Sequence, residues 1–224
     1  MLSLLIESST ERGCLALFED QKELARINLP SGPQSAQAIL PQIEALLKKE
    51  KITLNKLSFL TVGIGPGSYT GMRVGAMAAK TLSYALNIPL VGISTLEAYI
   101  PEECGKFAAI IDAKIGGAYY SLGELASDGV RWHGEPAVAE LTALRDILGQ
   151  VDLLVTPSAY PLRDKLESVS VKKWTWQETD PNPISMTQSA LVKFDRGEFT
   201  TDGQLRLLYL RKTQAEIERD KFVT

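Results

Sequence analysis

A pattern of strand, acidic residue, turn and second strand occurs once in each half of this sequence, and it constrains the fold more than any other feature. In each copy a short apolar run ends at a carboxylate, and polar or glycine-rich residues lead to another apolar run. The first copy comprises residues 2–6, Glu7 and residues 14–18, and the second comprises residues 107–111, Asp112 and residues 118–122. Because short apolar runs bounded by turn residues are typical of buried strands, we predict a duplicated α/β fold with mixed sheets.

The rest of the pattern completes two domains, which we place at residues 1–100 and 101–224. Apolar residues at helical spacing predict a helix from Pro33 to about Glu50 and a second one at residues 72–86. Further strands are predicted at residues 23–29, 57–64, within 88–95 and at 153–156, and further helices at residues 139–148 and 186–194. The charged end, from Tyr209, predicts a surface helix or tail, and the C-terminal segment is expected to pack back on the first domain.

Composition and charge argue against several functional classes. The 224 residues carry a net charge of −3, so a broad basic surface for nucleic acid is not expected and a role on RNA would need a partner. Cys14 and Cys104 lack metal-site spacing and lie in or beside apolar stretches, which favours buried thiols in a reducing compartment. The first apolar run stops at Glu7 with no basic segment before it, so no signal peptide or membrane span is indicated. We expect a cytoplasmic protein.

The stretch "GIGPGSYTGMR", residues 63–73, connects a predicted strand to the second helix. It is not a Walker phosphate-binding loop, because the spacing of its glycines is one residue too long and Met72 and Arg73 follow them. One hypothesis is a looser anion site, in which backbone N–H groups at Ser68, Thr70 and the next glycine face a ligand and Arg73 adds a charge. The alternative is a tight turn at the Pro-Gly pair, with Thr70 capping the helix.

Residues that could carry catalysis do not form a complete set in the sequence. His133 is the sole histidine, which excludes a metal site built on paired histidines. Glu7 and Asp112 end equivalent strands, so they could face each other and hold Mg²⁺, or both could be structural. Ser8, Ser9 and Ser68 are possible nucleophiles without an evident activating base. We predict no catalytic residue, no metal site and no cofactor.

Small residues recur at four-residue spacing along the second helix, at Gly71, Gly75 and Ala79. Glycine inside a helix costs about 1 kcal/mol relative to alanine, so the site should gain from a close approach. The approaching element could be a helix of another protein or the sheet of this chain. A second apolar stripe includes Met77, and only a narrow polar strip remains, formed by Arg73, Lys80, Ser83 and Tyr84. A helix that is apolar on two sides favours an external partner.

Several segments of the sequence resemble the bacterial TsaB (YeaZ) family. They are "LLIESSTERGCLALF", "ILPQIEALL", "GIGPGSYTGMRVGAMAAKTLSYALNIPLVGISTLEA", "IDAKIGGAYYSL" and the later "YLRK". The resemblance covers most of the first 125 residues and returns near Tyr209, whereas residues 126–204 match weakly. It implies the ASKHA fold, the duplicated mixed-sheet architecture of actin-like ATPases and ribonuclease H-like proteins.

The resemblance also implies a function and partners. Proteins of this family are non-catalytic partners of TsaD in the threonylcarbamoylation of the adenosine next to the anticodon of tRNAs that read ANN codons. TsaE joins the assembly, a homodimer forms when TsaD is absent, and tRNA is met only through the complex. Carried over to this sequence, the helical interface comprises Ile39, Leu40, Ile43, Gly71, Met72, Gly75, Ala78 and Ala79.

Two departures from the family pattern bear on any use of a nucleotide or metal. Glu7 stands where the family usually has aspartate, and Ser35 stands where a histidine usually precedes the family's "LLP" stretch. Both make nucleotide or metal binding by this chain less expected, so Glu7, Ser8, Ser68, Thr70, Arg73 and Asp112 are retained only as a vestigial nucleotide or anion loop. The alternative functions are a stand-alone ASKHA-type phosphotransferase, a glycoprotease-like peptidase and a direct tRNA-binding module.

Overall fold

The structure is a computed structural model that describes residues 1–32, 34–114 and 116–211. The first sheet has the strand order β3-β2-β1-β4-β5, in which β1, β4 and β5 are parallel and β2 is antiparallel to both of its neighbours. Its strands are β1 (Leu2–Glu7), β2 (Cys14–Glu19), β3 (Lys22–Asn28), β4 (Phe59–Gly63) and β5 (Leu90–Ile93). The helices of this part are α1 (Gln34–Lys49) and α2 (Tyr69–Leu86).

The second sheet repeats this arrangement in the order β8-β7-β6-β9-β10. Its strands are β6 (Gly105–Asp112), β7 (Gly117–Ala126), β8 (Gly129–Glu140), β9 (Leu153–Thr156) and β10 (Thr175–Glu178). The helices are α3 (Leu141–Ile147), α4 (Leu162–Ser168) and α5 (Pro183–Asp195). In both sheets three strands form an antiparallel meander, and two parallel strands follow on the other side of the first. The predicted duplicated mixed-sheet fold is therefore confirmed.

Alternation along the central strands explains why both faces of each sheet are buried. In β1, Leu4 and Ile6 belong to a core shared with α1 and α2, whereas Leu5 faces a second core between the two sheets. In β6, Phe107 faces the same core between the two sheets, and Ala108 faces a third core with α3 and α4. Because successive strand residues point to opposite faces, a continuous apolar run supplies both layers at once.

Helix α5 lies in the core between the sheets and joins them. Met186 and Ala190 are fully buried there, and Phe194 stacks on Phe59 of β4 with ring centres 4.8 Å apart. Burial of apolar side chains stabilises the folded state by about 25 cal/mol per Å² of apolar surface removed from water. The placement of α5 thus ties the last described helix to the first sheet. The domain boundary near residue 100 remains a prediction.

The sequence analysis missed two strands and one α-helix in the second half, and it misplaced three helix starts, including that of α5, which begins at Pro183 rather than Met186. β8, α4 and β10 were not predicted, and the helix expected at residues 139–148 begins at Leu141, because Ala139 and Glu140 pair with β7. The second helix begins at Tyr69 rather than Met72, because Ser68 is its N-cap. The predicted surface helix or tail from Tyr209 lies mostly outside the described residues, and residues 209–211 are not helical.

The C-terminal described segment lies against the first sheet. Thr200 and Leu90 exchange backbone hydrogen bonds of 2.9 and 3.0 Å, and Leu208 N donates to Ile64 O at 2.8 Å. Leu205 packs against the core of α1, α2 and the first sheet. This segment therefore covers the edge of β5, which would otherwise present unpaired backbone groups. No helix in the described part of the chain is long and apolar enough to span a membrane.

Candidate functional site

A small cleft lies where the carboxyl ends of β1 and β6 meet the loops that follow them. Its walls include Thr10 and Ser68 from the first half and Lys114, Ser158 and Tyr160 from the second. Ligands of open α/β sheets commonly bind outside the carboxyl ends of strands, so this is where a nucleotide would be sought. The cavity measures about 120 Å³, whereas pockets for drug-sized ligands measure roughly 300–1,000 Å³. The cleft is therefore smaller than a typical small-molecule pocket.

Glu7 is fully buried and bonded inside the chain instead of lining this cleft. Its Oε1 accepts from Ser9 N at 2.5 Å and its Oε2 accepts from Thr95 Oγ1 at 2.9 Å. Gly63 is required beside it, because an added Cβ would overlap the carboxylate. Burial raises the pKa of Glu7 from its ordinary value, and the hydrogen bonds oppose that rise. These contacts describe a structural carboxyl group.

Asp112, unlike Glu7, lines the cleft, but its carboxylate is bonded within the chain. Its carboxylate accepts from Lys114 N at 2.8 Å and forms an ion pair with Lys165 Nζ at 3.2 Å. With Glu7 bonded to Thr95 and Ser9, the two carboxylates do not form a joint Mg²⁺ site in this arrangement. Within residues 1–32, 34–114 and 116–211, no group of three or more His, Cys, Asp or Glu side chains could hold a metal ion. The structural alternative for Glu7 and Asp112 is the one the contacts favour.

The glycine stretch is bonded to the turn between β1 and β2. Ser68 N donates to Ser9 O at 2.6 Å, and the Ser68 hydroxyl accepts from Gly71 N at 3.2 Å. Ser8 Oγ donates to Gly71 O at 2.9 Å. The helix cap is therefore Ser68 and the prediction that Thr70 caps the helix is wrong, because α2 begins one residue before Thr70.

Arg73 points away from the cleft, toward two tyrosines. Its Nε donates to Tyr209 Oη at 3.0 Å and its guanidinium lies 3.8 Å from the centre of the Tyr69 ring. Thr70 is exposed, and the Arg73 guanidinium contacts both tyrosine side chains. Of the six residues of the predicted vestigial anion loop, Ser68 and Asp112 line the cleft. Glu7 is bonded internally and Arg73 contacts the two tyrosines, so the six do not converge on one point.

The small-residue stripe of α2 faces the first sheet of this chain and the turn after β1. A Cβ added at Gly71 or Gly75 would come closer than 3 Å to Ser8, and Ala79 is fully buried in the core of the first sheet. Met72 is buried too, with its Sδ beside Gly65. The prediction that this stripe faces another protein is wrong for these residues, because the close approach that favours glycine is made by the turn after β1.

The residues predicted on α1 divide between the core and the surface. Ile39 and Ile43 are buried in the core of the first sheet, whereas Leu40 is 56% exposed. Ala78 of α2 is partly buried against the same core. The side chain of Ser35 lies outside the described residues. Of the eight predicted interface residues, Leu40 is the one whose side chain is largely exposed to solvent.

Other exposed apolar side chains of α2 were not among the predicted interface residues. Met77 is 65% exposed and Tyr84 is 85% exposed, and α1 and α2 contact each other. Together with Leu40 they form what we call the α1–α2 surface. Met77 belonged to the second apolar stripe of the sequence, but Tyr84 was assigned to a polar strip. The helix is apolar on several sides, so its periodicity alone did not distinguish the inward face from the outward one.

Two sheets of the same topology, stacked with α5 between them, form the duplicated mixed-sheet architecture of the ASKHA fold. YeaZ from Pseudomonas aeruginosa has the same fold: the TM-score is 0.80 over 93% of this chain and 99% of that chain, at 23% sequence identity. This likeness concerns the fold.

Sequence comparison identifies the relatives more closely. The family model described as "TsaD: tRNA N6-adenosine threonylcarbamoyltransferase" matches residues 31–135, from the start of α1 into β8. The chain is 32% identical over 146 residues to the tRNA threonylcarbamoyladenosine biosynthesis protein TsaB of Escherichia coli, covering 63% of this chain and 62% of that protein. The chain is 31% identical over 125 residues to TsaB of Bacillus subtilis, and the match covers 54% of this chain and 55% of that protein. The resemblance to the TsaB (YeaZ) family is confirmed, and the matched part spans less than two thirds of these relatives' length.

Proposed function

We propose that this chain is a non-catalytic partner subunit in the biosynthesis of threonylcarbamoyladenosine in tRNA, and that it holds TsaD through the α1–α2 surface. The observation that carries the proposal is the exposure of large apolar side chains on these two helices, in a chain similar to proteins named for this pathway. TsaE is proposed as a further member of the assembly, and this chain is proposed to contact tRNA only as part of the complex. A cytoplasmic location follows from this role.

The exposed positions of the α1–α2 surface favour protein binding. Leu40, Met77 and Tyr84 each leave more than half of their surface in water, although each could contribute to a packed interface. Tyrosine and methionine are enriched in specific protein interfaces, which typically bury roughly 1,200–2,000 Å² in total. In the absence of TsaD, the same surface would serve a homodimer, since a two-fold contact uses one patch twice.

The cleft supports a partner role over an enzymatic one. Glu7 and Asp112 are bonded internally, and the glycine stretch is bonded to the turn beside it. A phosphotransferase would need room for a nucleotide and free carboxylates for its metal ion. The cavity of about 120 Å³ gives little room for such a ligand.

Reconstitution tests the role directly. Purified chain, TsaD, TsaE and the enzyme that makes threonylcarbamoyl-adenylate are mixed with tRNA, and the modified adenosine is measured with each protein left out in turn. We expect modification to be lost when this chain is omitted and to be absent when it is incubated alone with tRNA and substrates. Turnover of ATP or a peptide by the isolated chain would instead support the enzymatic alternative.

A charge placed on the α1–α2 surface tests where TsaD binds. Met77→Glu should weaken binding to TsaD at least tenfold, because a carboxylate would be buried against the partner. Val171→Glu is the matched control, since Val171 is fully exposed elsewhere on the molecule. Both variants should keep the unfolding transition of the parent chain. Equal affinity of Met77→Glu and the parent would show that TsaD binds another surface.

A further inference from the structure

Arg73 of α2 is held against an aromatic ring by a tyrosine from the far end of the chain. Its guanidinium carbon lies 3.8 Å from the centre of the Tyr69 ring, and Nε donates to Tyr209 Oη at 3.0 Å. Nη2 donates to Tyr69 Oη, and the two rings lie 5.3 Å apart. We call these three residues the Arg73 cluster. Stacking and hydrogen bonding together give this exposed guanidinium one defined orientation.

The segment that carries Tyr209 is anchored before it reaches α2. Thr200 bridges to β5, Leu205 packs in the core and Leu208 N donates to Ile64 O at 2.8 Å. Residues 136 positions apart therefore meet at a site set by tertiary structure. The first turn of α2 and the C-terminal segment form one composite surface, which neither would form alone.

Arg73 differs from other arginines of the chain in what holds it. The arginines that lie within 4.0 Å of a carboxylate oxygen include Arg12, Arg26, Arg131, Arg145, Arg163 and Arg196. Arg73 is held by two phenol oxygens, and none of the 18 residues of α2 is Asp or Glu. A guanidinium has five N–H donors, and the tyrosines take two of them. The cluster thus presents a fixed positive charge with donors left for a carboxylate.

We propose that the Arg73 cluster is the charged anchor of the α1–α2 surface, where its guanidinium binds a carboxylate of the partner protein. This inference rests on the proposed function, since it names the chemistry of the same surface. Arg73 precedes Met77 by one helical turn, so the two lie on the same side of α2. Arginine and tyrosine are prominent among the few residues that dominate interface energies, and an arginine oriented in advance loses less entropy on binding. Tyr209 is a positioning residue, because it acts through Arg73.

Binding to TsaD, measured by calorimetry at low and high salt, tests the anchor. We expect Arg73→Ala to weaken binding about 10- to 30-fold, with a smaller difference at high salt because the lost contact is ionic. Arg73→Lys should not restore affinity, because an ammonium group cannot make the planar two-point contact. The control is Arg131→Ala, which removes another exposed arginine, on β8, and should leave the affinity within about twofold of the parent value.

The role of Tyr209 is tested by a double-mutant cycle. Tyr209→Phe keeps the ring but removes the hydroxyl that holds Nε, and we expect it to weaken TsaD binding about three- to tenfold. In the Arg73→Ala background the same change should have no further effect on affinity. A merely structural tyrosine would instead lower affinity by the same factor in both backgrounds, which would contradict the positioning role.

The failures of the two proposals are distinguishable. If the parent chain binds TsaD and Arg73→Ala binds equally well, the anchor is wrong and the partner role stands. If Met77→Glu and Arg73→Ala both bind like the parent, the assigned surface is wrong as well. If the parent chain does not bind TsaD, the partner role fails and the anchor fails with it.

Discussion

Replacing Gly75 by alanine tests which side of α2 packs against the first sheet. A Cβ at this position would come closer than 3 Å to Ser8 Oγ, while remaining 3.6 Å from Ser8 Cβ and 3.7 Å from Ile6 Cγ2. Only the hydroxyl therefore has to move. That hydroxyl donates to Gly71 O at 2.9 Å, and a rotated Ser8 side chain loses this bond.

The expected free energies of unfolding follow from two opposing terms. Losing the Ser8 hydrogen bond costs about 1 kcal/mol, and replacing glycine by alanine inside a helix gains about 1 kcal/mol. Gly75→Ala should therefore be close to neutral, whereas Ser8→Ala alone should destabilise by about 1 kcal/mol. In the double variant there is no hydroxyl to displace, so the helix gain offsets the lost bond. The double variant should be about 1 kcal/mol more stable than the sum of the single changes predicts.

Urea unfolding followed by circular dichroism measures this coupling. Gly149→Ala combined with Ser8→Ala is the control pair, because a Cβ at Gly149 meets no atom within 4 Å. The control pair should be additive. A coupling below about 0.3 kcal/mol between Gly75→Ala and Ser8→Ala would refute the close approach of α2 to the turn after β1.

The same close packing means that a larger side chain at Gly75 would disturb the fold itself. Gly75→Leu would press several carbon atoms toward Ser8 Cβ and Ile6 Cγ2, and overpacking of this kind typically costs about 1–3 kcal/mol or more. Loss of TsaD binding in that variant would therefore report a damaged fold, not a blocked interface. Substitutions at Met77, whose side chain points to solvent, separate the two effects.

Three further predictions concern stability. Because burial raises the pKa of Glu7, the folded chain holds this proton more tightly than the unfolded chain, so the contribution of Glu7 to stability falls as pH rises above 4.5 toward the raised pKa. Glu7→Gln should therefore be more stable than the parent at pH 8, and the difference in free energy of unfolding between the two should vanish below pH 4.5. Urea unfolding across this pH range measures that difference. A difference that stays the same at every pH would contradict the buried carboxyl group. Arg12→Ala removes ion pairs to Glu178 and Asp180 of 3.2 and 3.1 Å, and it should cost at most about 1 kcal/mol in low salt and less in high salt, because the pairs are exposed. Leu46→Ala should cost about 2–5 kcal/mol in chemical denaturation, because Leu46 is fully buried in the core of α1 and the first sheet; a cost below about 1 kcal/mol would mean that α1 is not packed as described.

The sequence predicted the elements whose signals are local and strong. The apolar runs of β1, β2, β6 and β9 lie at the predicted positions, and the duplicated topology follows from the repeated hairpin pattern. β8 was missed because it is half-exposed and contains Gly134 at positive φ and Pro136, features that read as a turn. β10 and α4 are short, so each contains too few residues to show the hydrophobic periodicity from which secondary structure is predicted.

The orientation of α2 depended on tertiary information that the sequence does not contain. Ser83 belonged to the predicted polar strip, yet it is buried, with its hydroxyl donating to Ile88 O at 2.6 Å. Tyr84, next to it, is exposed. The atom nearest to a Cβ added at Gly75 belongs to Ser8, in the turn after β1 and 67 positions earlier, and only the folded chain brings it there. A helix that is apolar on several sides can be placed only by knowing its neighbours.

The contacts around the cleft also bear on the proposed binding role of the α1–α2 surface. The turn after β1 and the start of α2 are joined by Ser68 N to Ser9 O and by Ser8 Oγ to Gly71 O. Moving either loop to admit a ligand would break both bonds and separate the close packing at Gly75. The same contacts hold the first turn of α2 rigidly, and that turn carries Tyr69, with Arg73 one turn further along. A closed cleft therefore supports a fixed outer face, which is what a binding surface that must hold a partner in one arrangement requires.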